Sequence, residues 1–184
     1  SLKELIDEVE RRLREVNRRA RELVEEVKER LRRVNEESRE LLREIEERLE
    51  DVLRELEEGD LREEELRRLA EDIKRVKDEV KKLFDDHRDT NRRIEDDLRK
   101  KVEEHHERNR RIIEELKRLL DRGNGEEEIK ELVKRARELV KRSKEHVDEL
   151  METAKRLVDE SRKHAEELFR ELKKLIEELR EKIR

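Results

Sequence analysis

The chain has 184 residues, of which 59% are charged, 30% hydrophobic and 1% aromatic. Its 52 basic and 57 acidic residues are finely mixed and give a net charge of −5. Nucleic acid is therefore not an expected partner, since there is neither a clustered positive stripe nor an aromatic platform for bases. Without cysteine there is no disulfide framework or thiolate metal site, and the redox compartment is left open. There is also no targeting signal and no run near the roughly 18 apolar residues of a membrane span, so no membrane partner is expected at neutral pH.

The first predicted element is a helix over 2–58. Ser1 followed by Glu4 is a capping pattern, in which the hydroxyl accepts from exposed backbone N–H groups and the Glu reaches back. The segment repeats every eighteen residues, as LIDEVERRLREVNRRARE, LVEEVKERLRRVNEESRE and LLREIEERLEDVLRELEE. Along it Leu5, Val16, Val9, Ala20, Leu13 and Ile6 form one apolar arc, with Asn17 at its edge and Asn35 one repeat on.

Gly59 suits the left-handed position that ends a helix, and Asp60 followed by Glu63 repeats the capping pattern. A second helix is predicted over 61–122, with an arc running through Leu83, Val76, Leu69, Val80, Ile73 and Leu66. His87 and His105 occupy the position equivalent to Leu69, and Asn91 and Asn109 that of Ile73. Both positions lie near the centre of the arc, so these four polar side chains are expected to be buried. His106 points beyond the arc, and its equivalents are Ala70 and Arg88, so it reads as a surface residue.

Gly123 and Gly125 mark the second turn, and Asn124 with Glu127 marks the start of a third helix over 126–184. It too repeats every eighteen residues, as ELVKRARELVKRSKEHVD, ELMETAKRLVDESRKHAE and ELFRELKKLIEELREKIR. His146 and His164 sit at one edge of its arc, while Ser143 and Ser161 fall inside it. A serine at such a position commonly bonds its own helix backbone, with support of a polar network as the alternative. Phe84, Phe169 and Met151 read as core filler.

Eighteen residues make five turns of α-helix, so this repeat returns each residue to its face without supercoiling, whereas a seven-residue repeat imposes a left-handed twist. The loops are too short for anything but antiparallel neighbours. The fold class expected is all-α: one straight, antiparallel, up-down-up three-helix bundle spanning residues 1–184 as a single domain. In that registration Asn17, Asn109, His105 and His146 share a level. Asn35, Asn91, His87 and His164 share another, about 27 Å away. The third repeat carries Leu53, Leu69, Ile73 and Lys182 at the corresponding positions and is expected to be an apolar clamp.

Glycine confined to the loops, no proline, a capping pattern at each helix start, mixed-charge surfaces and idealised repeats run through the whole chain. In these features the chain resembles de novo designed, parametrically generated helical bundles. The buried His and Asn positions make it similar to those designs whose histidine networks come apart in acid. That resemblance implies a designed protein with no biological substrate.

His and Asn can satisfy one another across helices without net charge, which fixes register in an otherwise apolar core. His titrates near neutrality, so the layers are also expected to confer loosening or disassembly in acid. A static scaffold without a switch, and a subunit of a designed oligomer or filament, are the alternatives. Almost wholly charged outward faces favour a monomer. With two histidines and no core carboxylate expected in each layer, no metal site is anticipated. Without an oxyanion hole or carboxylate orienter near Ser143 and Ser161, no catalytic residue, cofactor or small-molecule substrate is expected.

Overall fold

Helix-forming Glu, Lys, Arg and Leu dominate each segment, and charged pairs one turn apart reinforce the helices on their wet faces. Arg12 donates to Glu8 and Arg14 to Glu10, each at 2.8 Å, Arg32 pairs with Glu36 at 2.8 Å, and Arg99 with Glu95 at 2.9 Å. Each such exposed pair contributes only about 0.3–0.5 kcal/mol. In a computed structural model the described residues form three α-helices and no strand: α1 (Leu2–Glu58), α2 (Glu63–Asp121) and α3 (Glu126–Ile183). Residues 1–123 and 125–183 are described, without the side chains of 129, 182 and 183. The expectations for the Asn124 cap and for Lys182 fall outside the described residues.

The helix ends follow the sequence in part. Glu4 N–H donates to Ser1 Oγ at 3.3 Å, which makes the first half of the cap, while the Glu4 carboxylate lies 3.6 Å from the terminal amine as an exposed ion pair. Gly123 has φ 65° and its N–H bonds Leu120 O at 3.2 Å, as a left-handed helix end requires. Gly59 differs. Its N–H bonds Leu56 O at 3.3 Å without a positive φ, and a Cβ there would meet Glu55 O at an ordinary 3.4 Å.

The second helix begins at Glu63, two residues later than the sequence suggests, and Asp60 is not its cap. Leu61 explains the delay: it packs against the apolar cluster of this region together with Leu66. Those two leucines flank the helix start as a hydrophobic staple, while Glu63, Glu64 and Glu65 fill the first turn and oppose the helix dipole.

The contacts group the chain into two compact units, and each helix contributes to both. Unit 1 comprises Ser1–Glu29 and Ile94–Leu157, and unit 2 comprises Arg30–Arg93 and Val158–Arg184. Within unit 1, Ile6, Val9 and Leu13 of α1 pack on Ile113 and Leu116 of α2 and on Ala136 and Val140 of α3. Within unit 2, Ile45, Leu49, Val52 and Leu56 pack on Ile73, Val80 and Phe84 and on Leu172 and Ile176. The four α1 residues of that second cluster are all 0% exposed. Leu53 and Leu69 pack against the same cluster, which gives the third repeat an apolar core. Leu83, placed on the apolar arc by periodicity, is instead exposed.

Candidate polar layers

Each unit holds a polar layer among these apolar side chains. In unit 2, His87 and Asn91 lie one turn apart on α2 and are 3% and 1% exposed. A buried amide must find partners or cost free energy, and Asn91 finds three. Its Nδ2 donates to Asn35 Oδ1 at 2.7 Å and faces His87 Nε2 at 3.4 Å, while Ser161 Oγ donates to its Oδ1.

An amide nitrogen only donates, so His87 Nε2 accepts and the neutral ring carries its proton on Nδ1. That Nδ1 is 3.3 Å from Nδ1 of His164, which must then accept. The two rings stand with centroids 5.4 Å apart at 42°. The path runs Ser161 to Asn91 to His87 to His164, crossing from α3 to α2 and back.

Unit 1 repeats the arrangement. Asn109 Nδ2 donates to Asn17 Oδ1 at 3.2 Å and faces His105 Nε2 at 3.2 Å, and Ser143 Oγ donates to Asn109 Oδ1 at 3.1 Å. The His105 and His146 rings are 4.9 Å apart at 33°. Here the sequence reading of His106 is corrected. Its ring is half-buried, and Nε2 bonds the backbone carbonyl of Asn17 at 3.1 Å. A carbonyl only accepts, so this histidine carries its proton on Nε2.

All eight expected His and Asn positions thus enter a layer, with differences in burial. His87, His105, Asn91 and Asn109 are buried, Asn17, Asn35 and His146 are half-buried, and His164 is exposed. Of the four layer histidines the two on α2 are buried, and the two on α3 are less so because they sit at the edge of their arc. Ser143 and Ser161 bond asparagine instead of their own helix, whereas Ser38, which sequence reasoning missed, does bond its own backbone at Val34 O, 2.7 Å away. The signal was present for the first two, since their positions lie inside the apolar arc.

The electrostatics follow from these positions. Burial pushes His87 below the ordinary imidazole value, and the neighbouring His164 lowers it further. His105 is pushed down to about 4 by burial, with His146, His106 and Arg108 adding positive charge nearby. His106 is lowered by burial and by Arg21, against the Asn17 carbonyl and Glu103, which favour its proton.

Truncating Ser161 to Ala leaves Asn91 Oδ1 buried without a donor. The expected cost is about 1–3 kcal/mol in denaturant unfolding, and Ser143→Ala should behave alike at Asn109. A loss near zero for both would mean the serines are not part of the layers.

Among the described residues no helix is long and apolar enough to cross a membrane, and no three His, Asp or Glu side chains are grouped to hold a metal ion. Comparisons with protein-family models, with curated proteins and with solved structures find no match for the chain.

Proposed function

We propose that the chain is a bundle of the designed, idealised kind, in which the His/Asn/Ser layers fix helix pairing at neutral pH and loosen it in acid. The finer fold belongs to this reading: helices that run up, down and up, kept straight by the eighteen-residue repeat. The pairs Glu10–Lys117 and Asn17–Asn109, or Asn35–Asn91 and Glu50–Lys77, run in opposite chain directions on α1 and α2. Glu37–Arg162 and Glu55–Arg180 run in the same direction on α1 and α3. Both patterns support that topology.

One observation carries the functional reading. The same five-residue arrangement, with the same donors and acceptors around its asparagine, occurs twice with two buried histidines whose charged forms are disfavoured. Register alone requires only polar pairing. Histidine adds a group that gains charge in the acid range.

Ring titrations and backbone amide spectra of the intact chain test it. His87 and His105 should titrate below the ordinary imidazole range. Amides flanking residues 87–91 and 105–109 should shift or broaden as they do, while those of 45–56 remain unchanged. Unaltered amides beside both layers after the rings have charged would favour a static scaffold.

A further inference from the structure

Resting on that reading, we infer that the unit 2 layer has a second hydrogen-bond arrangement, of reversed polarity. It lets the folded chain accept one proton per His87–His164 pair, and only a second proton opens the layer. In the neutral arrangement Asn91 Nδ2 occupies both of its hydrogens, on Asn35 Oδ1 and His87 Nε2, and Asn91 Oδ1 accepts from Ser161. A proton entering the pair has two places to go. On His87 it makes both ring nitrogens donors. On His164 it makes Nδ1 a donor towards His87 Nδ1, 3.3 Å away, which then moves the His87 proton to Nε2. Either way His87 Nε2–H now faces an amide nitrogen that cannot accept.

Rotating the Asn91 amide by half a turn resolves the conflict with almost no change of shape. Asn91 Oδ1 then accepts from His87 Nε2–H and from Asn35 Nδ2, and Asn91 Nδ2 donates to Ser161 Oγ. A hydroxyl both donates and accepts, so Ser161 serves in either arrangement. Asn35 is half-buried, so its own amide turns with its free end in water. The added proton is held between the two Nδ1 atoms and both His87 ring nitrogens are paired, at the cost of one Asn91 Nδ2 hydrogen left without a partner among these groups.

A second proton has no such solution. Both Nδ1 atoms would carry hydrogen at 3.3 Å, so the exposed His164 ring turns out into water and leaves the buried His87 Nδ1–H unpaired. The other charged groups around His87 do not remove this conflict. Arg39 of α1 and Asp85 and Arg88 of α2 line a cavity of about 60 Å³ beside it, with Asn35, Ser38, Leu42 and Phe84. Arg162 of α3 is paired with Glu37 at 3.7 Å. Asp85 is paired with Arg88 at 3.7 Å.

The test follows the ring nitrogens of His87 and His164 and the side-chain amide of Asn91 by nitrogen-15 spectra from pH 7.5 to pH 4.5. The chain is compared with His164→Asn, whose amide oxygen can accept from His87 Nδ1–H but takes no proton. At pH 7.5 His87 should carry hydrogen on Nδ1 alone. On acidification a folded species should appear with hydrogen on His87 Nε2. The Asn91 amide protons should lose their proximity to the His87 ring and keep that to Ser161. Amides of 85–93 should then broaden at lower pH in the parent chain and stay sharp in His164→Asn.

Broadening together with the first proton in both proteins, or an Asn91 amide that stays against the protonated ring, would overturn the inference. A switch of Asn91 with no broadening in the parent chain down to pH 4.5 would overturn its second step and count against the acid-loosening reading itself.

Discussion

Leu49→Ala is expected to cost roughly 3–5 kcal/mol in denaturant unfolding, the same at pH 7.5 and pH 4.5. Leu49 is 0% exposed and sits in the cluster formed by Ile45, Val52, Leu56, Ile73 and Val80 with Phe84, Leu172 and Ile176. Its loss removes transfer free energy and leaves a cavity that long, regular helices cannot readily collapse around. No titrating group belongs to that cluster, so the loss should carry no pH dependence. A loss that differed by more than about 1 kcal/mol between the two pH values would show that this core and the histidine layers are not separable.

The second large effect is the pH dependence contributed by His105. Its folded-state pKa lies near 4, below the ordinary 6.5, so between those values the unfolded chain binds more protons than the folded one. Stability therefore has its full value above about pH 6.5, falls as pH drops from there towards 4, and levels off below it. Each unit of depression corresponds to about 1.4 kcal/mol, and the ring is 5% exposed, so solvent screens it little. The contribution lost is on the order of 2–3 kcal/mol, with His87 and His106 adding in the same direction. His105→Asn should recover a loss of that size at pH 4.5 relative to its own value at pH 7.5. An unchanged pH dependence would place the titrating group elsewhere.

Much of this was legible in the residues because idealised helices obey their own geometry. A rotation of 100° per residue puts His87 and His105 where Leu69 sits and Asn91 and Asn109 where Ile73 sits, and all four are buried. What failed were features set by neighbours. His106 points off the apolar arc of α2, yet the backbone of α1 at Asn17 reaches it, and no pattern within α2 encodes that carbonyl. A second histidine immediately after the core residue His105 was the available hint. His164 lies at an arc edge, and edge positions leave burial to the packing of the next helix. The start of α2 moved because Leu61 gains more by packing on the core than by entering the helix, a tertiary gain that the Asp60–Glu63 pattern does not reveal.

The serines show the opposite case. Ser38, Ser143 and Ser161 are all buried, but only Ser38 bonds its own helix. Ser143 and Ser161 have a buried carbonyl oxygen of asparagine within reach, and a buried acceptor without a donor costs more than a surrendered backbone bond. The difference lies in the facing helix.

Denaturant unfolding at pH 7.5 and pH 4.5, for this chain and for a variant with all five histidines changed to Asn, tests the central claim most directly. Carboxylates titrate alike in both proteins, so the difference between them isolates the histidines. The parent should lose several kcal/mol more than the variant over that interval, with about 2–3 kcal/mol of it from His105. Equal losses in the two proteins would contradict the acid-responsive reading and leave the layers with a purely structural role.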